Sequence, residues 1–419
     1  MQIRFPSSEP KPRRRFIYVG RTVALVALLI VAGCGVAQHA GIVERALGGD
    51  ANVTAPGSAP KITYPAPWSQ KSNKQLGALA DKYMATMSLD QKLGQLFLAN
   101  FVGSDYPPSD ASMIERNLAG GTIMYARSLL TRDQTLAMVG QAQSHAQIPL
   151  FMSIDQEGGG VDRLKDIYGP HPSARTMALA KSTDYTRQQG ALTGNQMKAL
   201  GLNLNFAPDV DVQLVDGRDL GSRNFGTDPQ TVTTYAGAFL TGLQSAGVVG
   251  CLKHFPGLGA AVDDAHLTTP VINRTRAQIE QVELAPYRAL IATGQVQCVM
   301  TTNLLMPALD PDMPAELSPK IIDGILRHDL GYDGVVVTDA LYMADLMQRY
   351  GVPETGVLAI LAGCDVLEGP SNSASLGGII TALKNTLASG RLTQARIDLS
   401  VRRVLVLKMR IGLLPTTSK

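Results

Sequence analysis

From about residue 93 onward the chain alternates between two hydrophobic rhythms. Short, mainly apolar runs, many of them β-branched, recur between longer stretches whose apolar positions fall every three or four residues. The short runs are LGQLFLANF near 93, GGTIMYA near 120, PLFMSID near 149, LNLNFAP near 202, VVGCLKHF near 248, VQCVMTTN near 296, DGVVVTDA near 333 and CDVLEG near 364. A short, mainly apolar run suits a strand buried on both faces, as in a parallel sheet covered by helices. The stretches between, such as Thr231 to Gln244 and Pro319 to Leu330, have helical spacing, and Ser88-Leu89-Asp90-Gln91 is a capping box that opens a helix. Eight strand–helix units in succession predict an α/β fold, a single (β/α)8 barrel of the TIM type, with an open doubly wound sheet as the alternative. The last helical stretch, about Thr393 to Ile411, ends near the C-terminus, and no second domain is expected after it.

The first 72 residues follow neither rhythm. Residues 23–33, VALVALLIVAG, form an apolar run behind a cluster of arginines. A membrane-spanning helix needs about 20 such residues, so this shorter run reads as the core of a secretory signal peptide, residues 1–33. It ends Val31-Ala32-Gly33-Cys34, which resembles a bacterial lipobox. That resemblance implies cleavage before Cys34 and lipidation of its sulfur, with an incidental cysteine behind an ordinary signal as the alternative. Arg13-Arg14-Arg15-Phe16-Ile17 also resembles the twin-arginine export pattern. Residues 34–72 are rich in Gly, Ala, Pro and Ser and read as a tether. The folded body is expected over 73–415. The expected location is outside the cytoplasm, held to the membrane by the lipid.

Of the 419 residues, 45% are hydrophobic, enough for a large core and against disorder. The formal charge of +3 belongs to the leader. Residues 1–33 carry six basic side chains and one acidic, which leaves the rest of the chain at −2. A near-neutral body gives no electrostatic case for nucleic acid. Three cysteines remain beyond Cys34: Cys251, Cys298 and Cys364, each within an apolar run. They read as buried small hydrophobes rather than a disulfide framework. No His/Cys spacing suggests a metal, and no metal or cofactor is expected. Gly257-Leu258-Gly259 follows a strand, but Val262 stands where a dinucleotide fingerprint needs its third glycine.

In such barrels the chemistry sits at the C-terminal ends of the strands. The third run ends in Asp155-Gln156-Glu157, the fourth leads to Asp209 and Asp211, and the fifth ends in Lys253-His254. The seventh ends in Asp339 and the eighth in Glu368. Ionisable groups converging on one rim suit a sugar, which needs many hydrogen bonds to its hydroxyls and a pair of reacting groups.

The segment KHFPGLGAAVDDAH, Lys253 to His266, resembles the single-domain bacterial β-N-acetylglucosaminidases of glycoside hydrolase family 3, whose pattern is KHFPGxG, four residues, then Asp-Ser-His or Asp-Thr-His. Asp155-Gln156-Glu157-Gly158-Gly159 with Arg163 resembles the DQEGGxVxR of that family. Ser222-Arg223-Asn224-Phe225-Gly226, Leu317-Ser318-Pro319 and Thr338-Asp339-Ala340-Leu341 match further segments in order. The resemblance covers roughly residues 75–412. It departs at Gly160, usually Arg, and at Ala265, usually a hydroxyl residue. It implies a retaining exo-β-N-acetylglucosaminidase acting on peptidoglycan-derived muropeptides; the protein is expected to be a monomer without cofactor. It makes Asp339 the nucleophile, a carboxylate that attacks the anomeric carbon. His266 becomes the acid/base, an imidazole that titrates near neutrality, with Asp264 orienting its ring. Asp155, Arg163, Arg223, Lys253 and His254 become sugar-binding residues. Two other readings are a phosphorylase, in which a His acid/base repels incoming phosphate less than a carboxylate would, and a sugar-binding lipoprotein without turnover. The full set of Asp339, His266 and Asp264 argues against the last.

Overall fold

The computed structural model describes residues 68–416 except 108–110, 117–118, 217–219 and 266. The signal peptide, Cys34, most of the tether and His266 therefore lie outside the described residues.

The predicted runs become the strands β1 (Phe97–Asn100), β2 (Gly121–Ile123), β3 (Phe151–Ile154), β4 (Leu204–Asn205), β5 (Val249–Phe255), β6 (Cys298–Thr301), β7 (Val335–Ala340) and β8 (Val366–Glu368). Each pairs in parallel with its neighbours in sequence, and β8 pairs with β1, so the sheet closes into an eight-stranded barrel. Closure excludes the open doubly wound sheet. The first run is shorter as a strand than as a hydrophobic pattern, because Leu93 and Gly94 end the helix Leu89–Gly94 that the Ser88–Gln91 capping box opens. The two helical stretches resolve into Pro229–Ser245, capped by the Asp228 side chain on the Thr231 N–H, and Lys320–Asp329. The last helix, Gln394–Arg410, starts at the Thr393 cap.

Side chains alternate along each strand. Leu98, Phe151, Val249, Val335 and Val337 point into the barrel and form one apolar cluster. Phe97, Ala99, Met152 and Val336 join the larger cluster between barrel and helices. The foot of the barrel, at the N-terminal strand ends, is sealed by Trp68, Val404 and Leu407. There the Lys408 ammonium, with no exposed surface, donates to Gln95 Oε1 at 2.6 Å and to the Gly120 carbonyl at 2.8 Å. Arg410 Nη1 donates to the carbonyls of Ser69 and Lys71, each at 2.8 Å. Trp68 to Lys71, assigned to the tether by composition, are thus docked on the barrel.

One expectation is corrected. Cys251 and Cys298 are disulfide-bonded, and only Cys364 is a free buried thiol among the described residues. The two cysteines are 47 residues apart in sequence, but the register of β5 against β6 places them directly opposite, with Cα atoms 4.4 Å apart. That lies within the span a disulfide bridges. Their apolar surroundings suggested isolated small hydrophobes; the strand register, invisible in sequence, pairs them.

Candidate active site

A cavity of about 290 Å³ opens at the C-terminal strand ends. Its lining includes Asp155, Arg163, Arg223, Lys253, His254 and Asp339, so the fold assembles six sequence-predicted residues from four separate segments. Asp264 lies outside this lining, in a loop whose Leu267 and Thr268 N–H groups donate to the Asp264 carbonyl at 3.0 and 3.1 Å.

One side of the cavity is an ion-pair network. After β3 the chain folds back in a short hairpin, Gln156–Gly158 against Val161–Asp162, which holds Glu157 inward and delivers Arg163. Its turn needs glycine: Gly158 and Gly159 have φ of +87° and +60°, and a Cβ on Gly159 would lie 2.5 Å from the Ser173 Cβ. Gly160, by contrast, has open space around it, so the missing side chain leaves a gap rather than relieving a clash.

Lys253, at the end of β5 and 2% exposed, bridges Asp155 Oδ1 at 2.8 Å and Glu157 Oε1 at 2.7 Å. Arg223 grips Glu157 with Nε and Nη2, both at 2.9 Å, and its Nη2 lies 3.2 Å from His254 Nε2. His254 Nδ1 meets Asp211 Oδ2 at 2.7 Å. Burial alone would raise the carboxyls of Asp155 and Glu157, but Lys253 with Arg163 or Arg223 outweighs it and holds both below the ordinary range. Burial would likewise lower His254, yet the Asp211 carboxylate wins and the imidazole sits above its usual value. The network presents fixed charged donors and acceptors to the cavity without needing to reorganise.

Across the cavity stands Asp339, near the end of β7. Thr302 Oγ1 donates to its Oδ2 at 2.8 Å, and the Ala340 N–H reaches its Oδ1 at 2.8 Å. Beside it on β8 is Glu368, 2% exposed, with Tyr125 Oη at 3.4 Å from its Oε1. Tyr125 Oη also lies 2.9 Å from Tyr342 Oη, and the Arg163 guanidinium sits over the Tyr125 ring, 5.8 Å from its centroid.

The loop after β5 is fastened to the one after β4. The Leu258 N–H donates to Asp211 Oδ1 at 2.6 Å and the Leu214 N–H to the Gly259 carbonyl at 2.8 Å. A Cβ on Gly259 would fall 1.8 Å from the Val212 carbonyl oxygen, so backbone passes against backbone there. Ala265, the departure in the acid/base motif, is buried.

Sequence reasoning left four contributors unassigned. Glu157 was read only as part of a motif, and Asp211 and Glu368 only as strand-end acids. Tyr125, just past β2, carried no signal beyond its position at another strand end.

A barrel with a carboxylate at one strand end, facing a network of buried ion pairs across a cavity, is an arrangement suited to a carbohydrate-processing enzyme. The chain matches the Glycosyl hydrolase family 3 N terminal domain over residues 88–407. It is 32% identical over 401 residues to the β-hexosaminidase LpqI of Mycobacterium tuberculosis, covering 93% of this chain and 97% of that one. It is 32% identical over 299 residues to a β-hexosaminidase of Tolumonas auensis, covering 71% and 89%. A solved glycoside hydrolase family 3 β-N-acetylglucosaminidase from Paenibacillus sp. superposes with a TM-score of 0.76 at 36% identity, over 78% of this chain and 63% of the other. The LpqI structure gives 0.72 at 32%, over 78% and 96%. The chain belongs to glycoside hydrolase family 3, and its match to the β-hexosaminidase LpqI runs over nearly its whole length.

Proposed function

We propose that this protein is a retaining exo-β-N-acetylglucosaminidase that releases terminal N-acetylglucosamine from peptidoglycan-derived fragments. The observation that carries the reading is Asp339, set across the cavity from the network of Asp155, Glu157, Lys253, Arg223 and His254. That network binds the hydroxyls of the terminal sugar and fixes its anomeric carbon before Asp339. Asp339 attacks this carbon and forms a glycosyl-enzyme while His266, oriented by Asp264, gives its proton to the leaving oxygen. Water then attacks the same carbon, His266 takes its proton, and the sugar leaves with its configuration retained.

The test is hydrolysis of nitrophenyl β-N-acetylglucosaminide against the matching β-glucoside, with and without phosphate. Faster cleavage of the first, to the free sugar in both buffers, is expected. Loss of at least about 10³-fold in Asp339→Asn, with the fold intact, should accompany it. A sugar phosphate as product would instead mean phosphorolysis.

We further infer that the protein is exported and lipidated at Cys34. The Cys251–Cys298 disulfide supports an oxidising compartment. Cys34→Ala should move the protein from the detergent phase to the aqueous phase of a detergent extraction. Unchanged membrane retention would refute the lipid anchor.

A further inference from the structure

The two sides of the cavity differ in charge. On the Lys253 side every carboxylate has a cation: Asp155 and Glu157 share Lys253, and Glu157 also holds Arg223. On the Asp339 side none does. Among the described residues, Asp339 is held by a threonine hydroxyl and a backbone N–H, and Glu368 by a tyrosine hydroxyl. Neither carboxyl has a lysine or arginine within ion-pair distance. Glu368 stands one strand along from the candidate nucleophile, in register with Ala340, and lines the same cavity. Behind them Glu316 is fully buried, and neither of its side-chain oxygens has a hydrogen-bond partner. Burial, then the charges of Asp339 and Asp155, push the Glu368 carboxyl well above the ordinary range, against the weaker opposing pull of Tyr125 and the more distant Lys253.

A buried acid without a counter-cation ionises when a ligand supplies one. In a 2-amino-2-deoxy sugar the nitrogen is carried by C2, the carbon next to the anomeric carbon that Asp339 attacks. With its acetyl group present that nitrogen is neutral; without it, the nitrogen is an ammonium held beside the nucleophile. We propose that the pocket also accepts β-linked glucosaminides with a free amine, and that Glu368 is the counter-ion of that ammonium. This rests on reading the cavity as a β-hexosaminidase site. The bonds broken and made are those of the hydrolysis already described; the one added event is transfer of the Glu368 proton to solvent on binding.

The experiment compares nitrophenyl β-glucosaminide with nitrophenyl β-N-acetylglucosaminide on the parent and on Glu368→Gln. The parent should cleave both. The ratio of kcat/KM, free amine to N-acetyl, should fall at least tenfold in Glu368→Gln, whatever happens to the N-acetyl substrate alone. Independently, calorimetry of the parent near pH 6 in buffers of different ionisation heat should show a proton released when glucosamine binds, and none with N-acetylglucosamine. This reading stands even if the variant fails to fold. A parent that cleaves only the N-acetyl substrate, an unchanged ratio in a folded variant, or no proton release would overturn the proposal. Cleavage of neither substrate would overturn the hexosaminidase reading instead.

Discussion

At the scale of single residues, the sharpest expectation concerns a side chain whose role rests on sequence and chemistry together. A sugar alkoxide needs a proton to leave, whereas a nitrophenolate hardly does. His266→Ala should therefore slow cleavage of a disaccharide far more than formation of the glycosyl-enzyme from an aryl glycoside. Release of the sugar by water should then be slow, and azide, which needs no base, should restore turnover. Asp264→Asn should show the same pattern more weakly. Equal losses on good and poor leaving groups, with no azide rescue, would assign His266 to binding or structure. Most of the residues around the cavity were legible because they stand at barrel strand ends: Asp155, Lys253, His254 and Asp339 all do. What escaped were partners rather than positions. Nothing in the string of letters says that Lys253 chooses Glu157 as well as Asp155, or that Asp211 holds the His254 ring. Those pairings depend on which strands are neighbours and on how far each loop folds back.

At the scale of elements, the loop after β5 shows how one backbone contact serves several side chains. The glycine-rich run passes so close to Val212 that the two loops behave as one piece, pinned by the Leu258 and Leu214 N–H groups. Gly259→Ala cannot be absorbed by a side-chain rotation, since the atom it strikes is a carbonyl oxygen. The expected cost is roughly 2 kcal/mol or more. Activity should fall with it, because the displaced loop carries Asp264 onward and holds Asp211 behind His254. A melting temperature and a kcat/KM both equal to the parent's would show that the loops move freely. The strands and helices themselves were readable from hydrophobic period alone, because burial on both faces makes the short runs mainly apolar, with their polar residues few and mostly towards the ends. Boundaries were less so: Leu93 and Gly94 are apolar or small for a helix end, and only the two turn residues Gln95 and Leu96 separate them from β1. The Cys251–Cys298 pairing failed for the same reason as the ion pairs, since it belongs to the register between strands.

At the scale of the whole molecule, the foot of the barrel sets a pH dependence of stability. Burial pulls the Lys408 ammonium down to about 7, against an ordinary value of 10.5. Between these values the unfolded chain holds a proton that the folded chain has released, so this group makes stability rise with pH across that window. Below about pH 7 the lysine is charged in both states and its penalty is fully present. Lys408→Met should flatten the rise between pH 7 and 10 in denaturant titrations, even though losing the bonds to Gln95 and Gly120 lowers stability overall. A variant with the parent's slope would place the titration elsewhere. The same foot has a directional consequence. Trp68, Ser69 and Lys71 join the barrel there, gripped by the end of the last helix, while the cavity opens at the opposite end. The mouth and the start of the described chain thus stand at opposite poles of the barrel, and a long substrate can enter without meeting Trp68 to Lys71.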